Sequence, residues 1–205
     1  SRRHQEGVVE CRHRREGDRG LVGVKIFGID PGSERTGYGC VEHSGSRHQL
    51  VLCGSLSAPA SATFPERLQH IHQGLVGLLA ECRPDCVVVE SIFHAKNVRS
   101  ALKLAHARGI ALLAASEAGL CVHEYAPAEI KRAVVGYGRA EKPQVGQMVK
   151  LLLGLDAVPA PHDVADALAV AICHLHNSTG AVAETVARHR APRSTARSWR
   201  EYRPS

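Results

Sequence analysis

The sequence predicts a mixed α/β fold: a five-stranded sheet, part antiparallel and part parallel, with helices on both faces. Three observations carry that prediction. Three strand-like runs, 24–29, 35–42 and 48–57, follow one another with only short polar breaks, which makes an antiparallel meander. Beyond residue 64, helical and strand periods alternate, which places further strands in parallel through helical crossovers. Two of the strands, 24–29 and 86–89, run straight into a carboxylate, Asp30 and Glu90.

Each element has a local reason. The first strand is an apolar run that Pro31-Gly32 stops, because proline lacks a ladder donor and the pair favours a turn. Gly37 and Gly39 interrupt the second strand, and glycine inside a strand marks close approach of another backbone. From Phe64 to Cys82, apolar residues Leu68, Ile71, Leu75, Leu78 and Leu79 recur at helical spacing. Arg83-Pro84-Asp85 breaks that helix, and Cys86–Glu90 is the fourth strand. Asn97 is an N-cap for a helix reaching about Ser116. Ala101, Leu104, Ala105 and Leu112 are expected to form its close-packing stripe. Residues 120–125 read as the fifth strand. Pro127 suits the first turn of a short helix that ends at Gly136-Tyr137-Gly138. Two more helices are expected over 142–153 and 163–176, with Pro159-Ala160-Pro161 between them. Residues 23–177 thus form one domain. The segments 1–22 and 178–205 lack hydrophobic periodicity and are expected to be disordered basic arms.

Composition excludes several classes. A chain of 205 residues with 44% hydrophobic content holds one packed core. No apolar run approaches ~20 residues, so no membrane span is expected. The arginine-rich first residues lack the apolar stretch of a secretory signal. The expected location is the cytoplasm. Cys40, Cys53, Cys86, Cys121 and Cys173 lie within apolar runs and read as small buried hydrophobes, not a disulfide set. Cys82 and Cys86, with His70 and His72, make a poor zinc set, because the four-residue cysteine spacing suits a helix end badly. His174 and His176 are expected at a fraying helix end.

The net charge of +6 is carried by the arms; the body from 26 to 177 has thirteen Lys/Arg against fourteen acids. Within the body the cations cluster. Lys96, Arg99, Lys103 and Arg108 form one group, and Lys131, Arg132, Arg139, Lys142 and Lys150 another. Each group alone is a solvated helix face. Two of them flanking an acidic centre point to a polyanionic partner.

That centre is the chemical signal. Taken alone, Asp30 before Pro31-Gly32 is an ordinary turn residue. Asp163 and Asp166, three apart in a first helical turn, are ordinary too. Together with Glu90, however, three separate segments each deliver carboxylate at the edge of an apolar element, which is how a divalent-metal site is built. Residues at the carboxyl ends of parallel strands become neighbours, and open α/β sheets bind ligands there.

The stretches Gly28-Ile29-Asp30-Pro31-Gly32-Ser33 and Thr36-Gly37-Tyr38-Gly39 begin a longer pattern. It continues through Glu90, Phe93 and Ala95-Lys96-Asn97 to Ser100-Ala101-Leu102-Lys103-Leu104 and Arg108-Gly109. It ends with Val134-Val135-Gly136, Ala140-Glu141-Lys142 and 163–169. As a set over residues 24–177 this resembles the RuvC family of bacterial Holliday junction resolvases, in the RNase H-like superfamily. The resemblance implies an RNase H-like fold and Mg²⁺-dependent cleavage of four-way DNA junctions in recombination and repair. It implies two ions per subunit, with Mn²⁺ able to substitute. It assigns the metal ligands to Asp30, Glu90, Asp163 and Asp166, with His162 as the alternative to Asp163. It makes Lys131 and Lys142 important for cleavage and Phe93 a base-contacting aromatic. Lys96, Arg99, Lys103 and Arg132 are the further DNA contacts expected from the basic clusters. The family also implies a homodimer and a RuvA–RuvB branch-migration partner. Two other classes compete. A nucleotide-binding protein of the actin type would need two such domains and has no room here. A non-catalytic nucleic-acid binder would not keep an acidic set that repels phosphate.

Overall fold

The computed structural model describes residues 9–10, 23–91 and 97–178. The strands are β1 (Val9–Glu10), β2 (Val24–Asp30), β3 (Thr36–Ser44), β4 (Arg47–Leu56), β5 (Cys86–Glu90) and β6 (Cys121–Tyr125). The helices are α1 (Phe64–Cys82), α2 (Val98–Glu117), α3 (Pro127–Val135), α4 (Lys142–Leu153) and α5 (His162–Asn177). They form one sheet in the order β1-β4-β3-β2-β5-β6. The meander β2-β3-β4 is antiparallel, and β5 and β6 join it in parallel beside β2. The five expected strands are all present. A two-residue strand, β1, adds to the β4 edge through Val9↔Cys53 and Glu10↔Leu52. Apart from those two residues and Ser178, the expected arms lie outside the described residues.

Strand alternation sorts the side chains into two cores. Phe27, Ile29, Tyr38, Cys40, Val87 and Val89 face α1 and α2. The Phe27 and Tyr38 rings stack there with centroids 6.1 Å apart. Ile26, Val41, Cys86 and Val88 face the other way, toward α3, α4 and α5. Each fully buried side chain of this size stabilises the fold by about 1.5–3 kcal/mol. The Lys25 N–H donates to the Asp85 carboxylate at 2.9 Å and the Asp85 N–H to the Lys25 carbonyl at 2.9 Å, which pins β5 in register with β2.

α5 is the central helix. Val164, Ala165, Ala167, Leu168, Ala169, Val170, Ala171, Ile172 and Cys173 are all buried, so it is apolar nearly all round, as a helix covered on every side must be. It lies on β2 and β3 and is covered by α3 and α4. Its approach to the sheet depends on glycine. A Cβ at Gly28 would collide with the Ala167 carbonyl, one at Gly37 with the Asp163 carbonyl, and one at Gly39 would lie 2.5 Å from Leu168 Cδ2. The glycines in the second strand therefore mark a helix, not a ligand or another strand.

α2 begins at Asn97, whose side chain accepts from the Ser100 N–H at 2.9 Å. The stripe it buries differs from the expected one. Ala107, Ala111, Ala114 and Ala115 pack against the core, while Ala105 is exposed. The helix sets its smallest side chains toward α1, and the larger Leu104 and Leu112 lie at the margin, half-buried.

The glycine contact is testable by stability. Gly37→Ala forces a methyl group into the α5 backbone and should lower unfolding free energy by about 1–3 kcal/mol. Gly77→Ala, in α1 where a Cβ meets nothing within 4 Å, should raise it by about 0.5–1 kcal/mol. Urea denaturation followed by circular dichroism reads both; a Gly37→Ala variant as stable as wild type would refute the packing argument.

Candidate active site

Alternation puts Asp30 on the same face of β2 as Ile26 and Gly28, under α5. It puts Glu90 on the same face of β5 as Cys86 and Val88. The parallel register Ile29↔Val89 carries on to set the two carboxylates side by side at the strand ends, and they are hydrogen-bonded to each other. The hairpin after Asp30 is closed by the buried Thr36 hydroxyl, which donates to the Gly32 carbonyl at 2.9 Å and accepts from the Gly32 N–H at 3.3 Å. α5 starts at His162 with Pro161 as its N-cap, and its first turns bring Asp163 and Asp166 over Gly37 and toward Asp30. Lys142, first residue of α4, donates through Nζ to the Asp166 carboxylate at 2.5 Å.

These charges crowd one another. Burial first, then the charges of Glu90, Asp166 and Asp163, push Asp30 up to about 8, with Lys142 opposing. Glu90 is also raised, by burial and by Asp166, while Lys142, the Asp30 hydrogen bond and Lys131 pull it back. The two carboxyls therefore titrate as a pair, both held above the ordinary carboxylate range. Burial depresses Lys142, yet its bond to Asp166 and the charges of Asp166, Asp30 and Glu90 outweigh that and hold it above its usual value. Four carboxylates thus share one directly bonded ammonium group. The donors are all oxygen and carry surplus negative charge, which fits a hard divalent cation and not a soft one.

The fold brings together Asp30, Glu90, Asp163, Asp166, Lys142 and Lys131, the last half-buried on α3. Asp163 is half-buried and adds to the field on Asp30, whereas His162 is exposed. Arg132 is exposed on α3, and Arg99 and Lys103 are exposed on α2, with Lys103 Nζ 5.9 Å from the Phe64 ring centroid. Arg108 is not a free cation of its cluster, because it is paired with Glu124. Phe93 and Lys96 lie outside the described residues. Two neighbours escaped the sequence reading. Thr36 shapes the hairpin, and the Arg35 guanidinium reaches 4.0 Å from the Asp163 carboxylate beside a cleft lined by Gly32, Ser33 and Ser57. The only sequence sign of either was its place in the turn after Asp30.

The histidines and cysteines correct the sequence reading. His174 is buried and bonded to the Tyr125 hydroxyl at 3.0 Å, and His176 bonds to the Ala133 carbonyl at 2.9 Å, so neither frays. Cys82 contacts Cys40 at 2.7 Å and His72 pairs with Glu117 at 2.9 Å, so the Cys82–Cys86–His70–His72 set does not assemble. Cys40, Cys53, Cys86 and Cys173 are buried thiols outside any disulfide, as expected of small hydrophobes, and so is Cys82; Cys121, expected with them, is only half-buried because it lies on the edge strand β6.

Carboxylates from two parallel strand ends and one helix terminus, on a sheet of this order, define an RNase H-like nuclease. A family model described as "Crossover junction endodeoxyribonuclease RuvC" matches residues 26–174. The chain belongs to the RuvC family. A crossover junction endodeoxyribonuclease RuvC of Heliobacterium modesticaldum is 52% identical over 158 residues, covering 77% of this chain and 98% of that protein. Another, of Alkalilimnicola ehrlichii, is 54% identical over 154 residues, covering 75% and 92%. Among solved structures, Thermus thermophilus RuvC in complex with Holliday junction substrate superposes with a TM-score of 0.72 at 35% identity, covering 76% of this chain and 94% of that one. The yeast mitochondrial Holliday junction resolvase Ydc2, at 14% identity and a TM-score of 0.57, shares the fold.

The raised Asp30 sets a pH dependence. Between the ordinary value of 3.8 and about 8 the folded state holds a proton that the unfolded chain releases. Metal-free stability should therefore be greatest below that window and fall as pH rises through it. Asp30→Asn should flatten the slope. Thermal melts in chelator across the window check this, and a variant with an unchanged slope would show that Asp30 is not the titrating group.

Proposed function

We propose that this chain is a structure-selective endonuclease. It resolves four-way (Holliday) DNA junctions by paired, metal-dependent phosphodiester hydrolysis, in recombination and repair. The observation that carries this reading is the convergence of Asp30, Glu90, Asp163 and Asp166 at the strand ends, with Asp30 buried among the other three. Family membership and the likeness to a RuvC bound to Holliday junction substrate support the choice of substrate.

Two Mg²⁺ ions, replaceable by Mn²⁺, suit the all-oxygen donor set. Asp30, Glu90, Asp163 and Asp166 would hold them. When bound, such a pair supplies a nucleophilic water and neutralises charge on the leaving oxygen. Within the protein, Asp30 gives up its proton to admit the cations. Lys142 holds Asp166 in place and, with Lys131, offsets phosphate charge at the rim. Phe93 stacks on bases at the junction centre, and Lys96, Arg99, Lys103 and Arg132 track the DNA backbone.

Symmetric cutting needs two such sites, hence a homodimer. The exposed side of α2 suits that interface: Val98, Leu102, Ala105, Gly109 and Leu113 follow one another at helical spacing and are all exposed. RuvA–RuvB is the branch-migration partner, and the cytoplasm is the location.

Cleavage of a mobile junction, read as paired nicks on a sequencing gel, tests the reading. Asp30→Asn, Glu90→Gln and Asp166→Asn should lose cleavage and keep junction binding. Asp163→Asn should behave likewise, while His162→Ala keeps most activity. If all four carboxylate variants still nick junctions in Mg²⁺, the metal-nuclease reading is wrong. Lys131→Ala and Lys142→Ala should each cut less than wild type. Each should also flatten the salt dependence of binding by about one unit of slope. Unchanged cleavage in both would make them solvated surface.

A further inference from the structure

A second group of potential metal ligands lies on the same face of the sheet, between the start of β5 and the middle of β6, farther down the strands than the acidic set. Cys86 opens β5, His123 is in the middle of β6, and His174 is near the end of α5. Each offers one ligand atom, and the three atoms all lie within 4.8 Å of one another. Cys86 is 4% and His174 6% exposed. The His123 and His174 rings are tilted against each other with centroids 4.4 Å apart. Cys86 and Glu90 are the two ends of β5, about 13 Å apart at ~3.3 Å per residue, so this group is separate from the carboxylates.

Three details go beyond three polar side chains packed in a core. His123 Nε2 is buried with no hydrogen-bond partner, which is costly in an apolar interior. His174 Nδ1 is held by the Tyr125 hydroxyl at 3.0 Å, leaving Nε2 as its other donor atom; a metal-binding histidine is oriented in the same way by a partner on its second nitrogen. Cys121, opposite Cys86 in the strand register, donates from Sγ to the Asp85 carbonyl at 3.9 Å and is also bonded to the Cys86 thiol, so a second sulfur adjoins the group without being one of its three clustered atoms. Sulfur and imidazole donors in a closed apolar setting suit a tetrahedral Zn²⁺ ion, and they do not suit Mg²⁺.

We propose that Cys86, His123 and His174 bind Zn²⁺, with Cys121 turning from the Asp85 carbonyl to take the fourth position, in a structural site that ties β5 and β6 to the far end of α5. Binding replaces the Cys86 S–H bond by a sulfur–zinc bond and releases that proton to solvent. Cys121 gives up its proton in the same way. No oxidant or reductant takes part. The ion would anchor α5 at one end while its first turn carries carboxylates at the other.

The full chain, reduced and stripped with chelator, is titrated with Co²⁺ as a spectroscopic stand-in and then with Zn²⁺. The expected result is a sulfur-to-cobalt charge-transfer absorption with strong tetrahedral d–d bands, displaced by Zn²⁺ and untouched by excess Mg²⁺. Cys86→Ser should abolish the charge-transfer absorption or strip most of its intensity. His123→Gln should weaken binding, and Tyr125→Phe should weaken it about 10-fold through His174. Asp30→Asn should leave the spectrum unchanged. A wild-type protein without the sulfur band, or a band that survives Cys86→Ser intact, overturns the proposal. If Cys86→Ser does not fold, zinc-edge X-ray absorption of the wild-type protein decides instead. A shell of sulfur and imidazole supports the site, and a shell of oxygen and nitrogen alone overturns it.

Discussion

The contact on which the rest depends is the backbone-to-backbone approach of α5 to β2 and β3. Gly28 and Gly37 leave a strip on which the α5 backbone lies closer than any side chain would permit, and Gly39 makes room for the Leu168 side chain. Because the helix is pressed onto the sheet there, its N-terminal turn arrives at the carboxyl end of β2. That brings Asp163 and Asp166, which are far from Asp30 in sequence, into its field. The alanines of α5 serve the same end from the other partner. Small side chains at 165, 167, 169 and 171 let the sheet, α3 and α4 all close on one helix.

The site is expensive to keep without a cation. Burial already disfavours a charged Asp30, and three like charges add to it. A pair of unit charges 4 Å apart repels by roughly 1 kcal/mol in water and roughly 4 kcal/mol at an effective dielectric of 20. Lys142 relieves part of this through Asp166 but does not reach hydrogen-bond contact with Asp30. The rigid core beneath, with Ile29 and Val89 fully buried in adjacent strands, holds the carboxylates together despite their repulsion. Stability and function therefore pull in opposite directions at the strand ends, and the apolar strands supply the difference.

Much of this was legible in the sequence, for physical reasons that differ by element. Strand-terminal acids are conspicuous because an apolar run that ends on a carboxylate has few structural uses. Helices bounded by Asn97, Pro127 and Gly136 declare themselves by capping chemistry that acts locally. The meaning of Gly37 and Gly39 was half legible: close approach could be read, but not by what. The buried face of α2 was misread because alanine-rich helices show little contrast between faces, so Ala107 and Ala111 looked no different from Ala101 and Ala105. In the sequence His174 reads as a fraying terminus, since nothing local shows that Tyr125 and His123 lie across from it. Arg35 was passed over because its link to Asp163 spans the fold. Long-range juxtaposition is what one sequence conceals.

Glycine-mediated seating of α5 is what assembles the four carboxylates. Gly28→Ala tests it most directly, because it alters no charged group and lies beneath the helix at Ala167 and Ala171. Calorimetric titration of Mg²⁺ into the folded variant, with helix content verified by circular dichroism, is the measurement. Clearly weaker Mg²⁺ binding than wild type is expected, because α5 must lift away from the sheet. A folded Gly28→Ala protein that binds Mg²⁺ as tightly as wild type would contradict it.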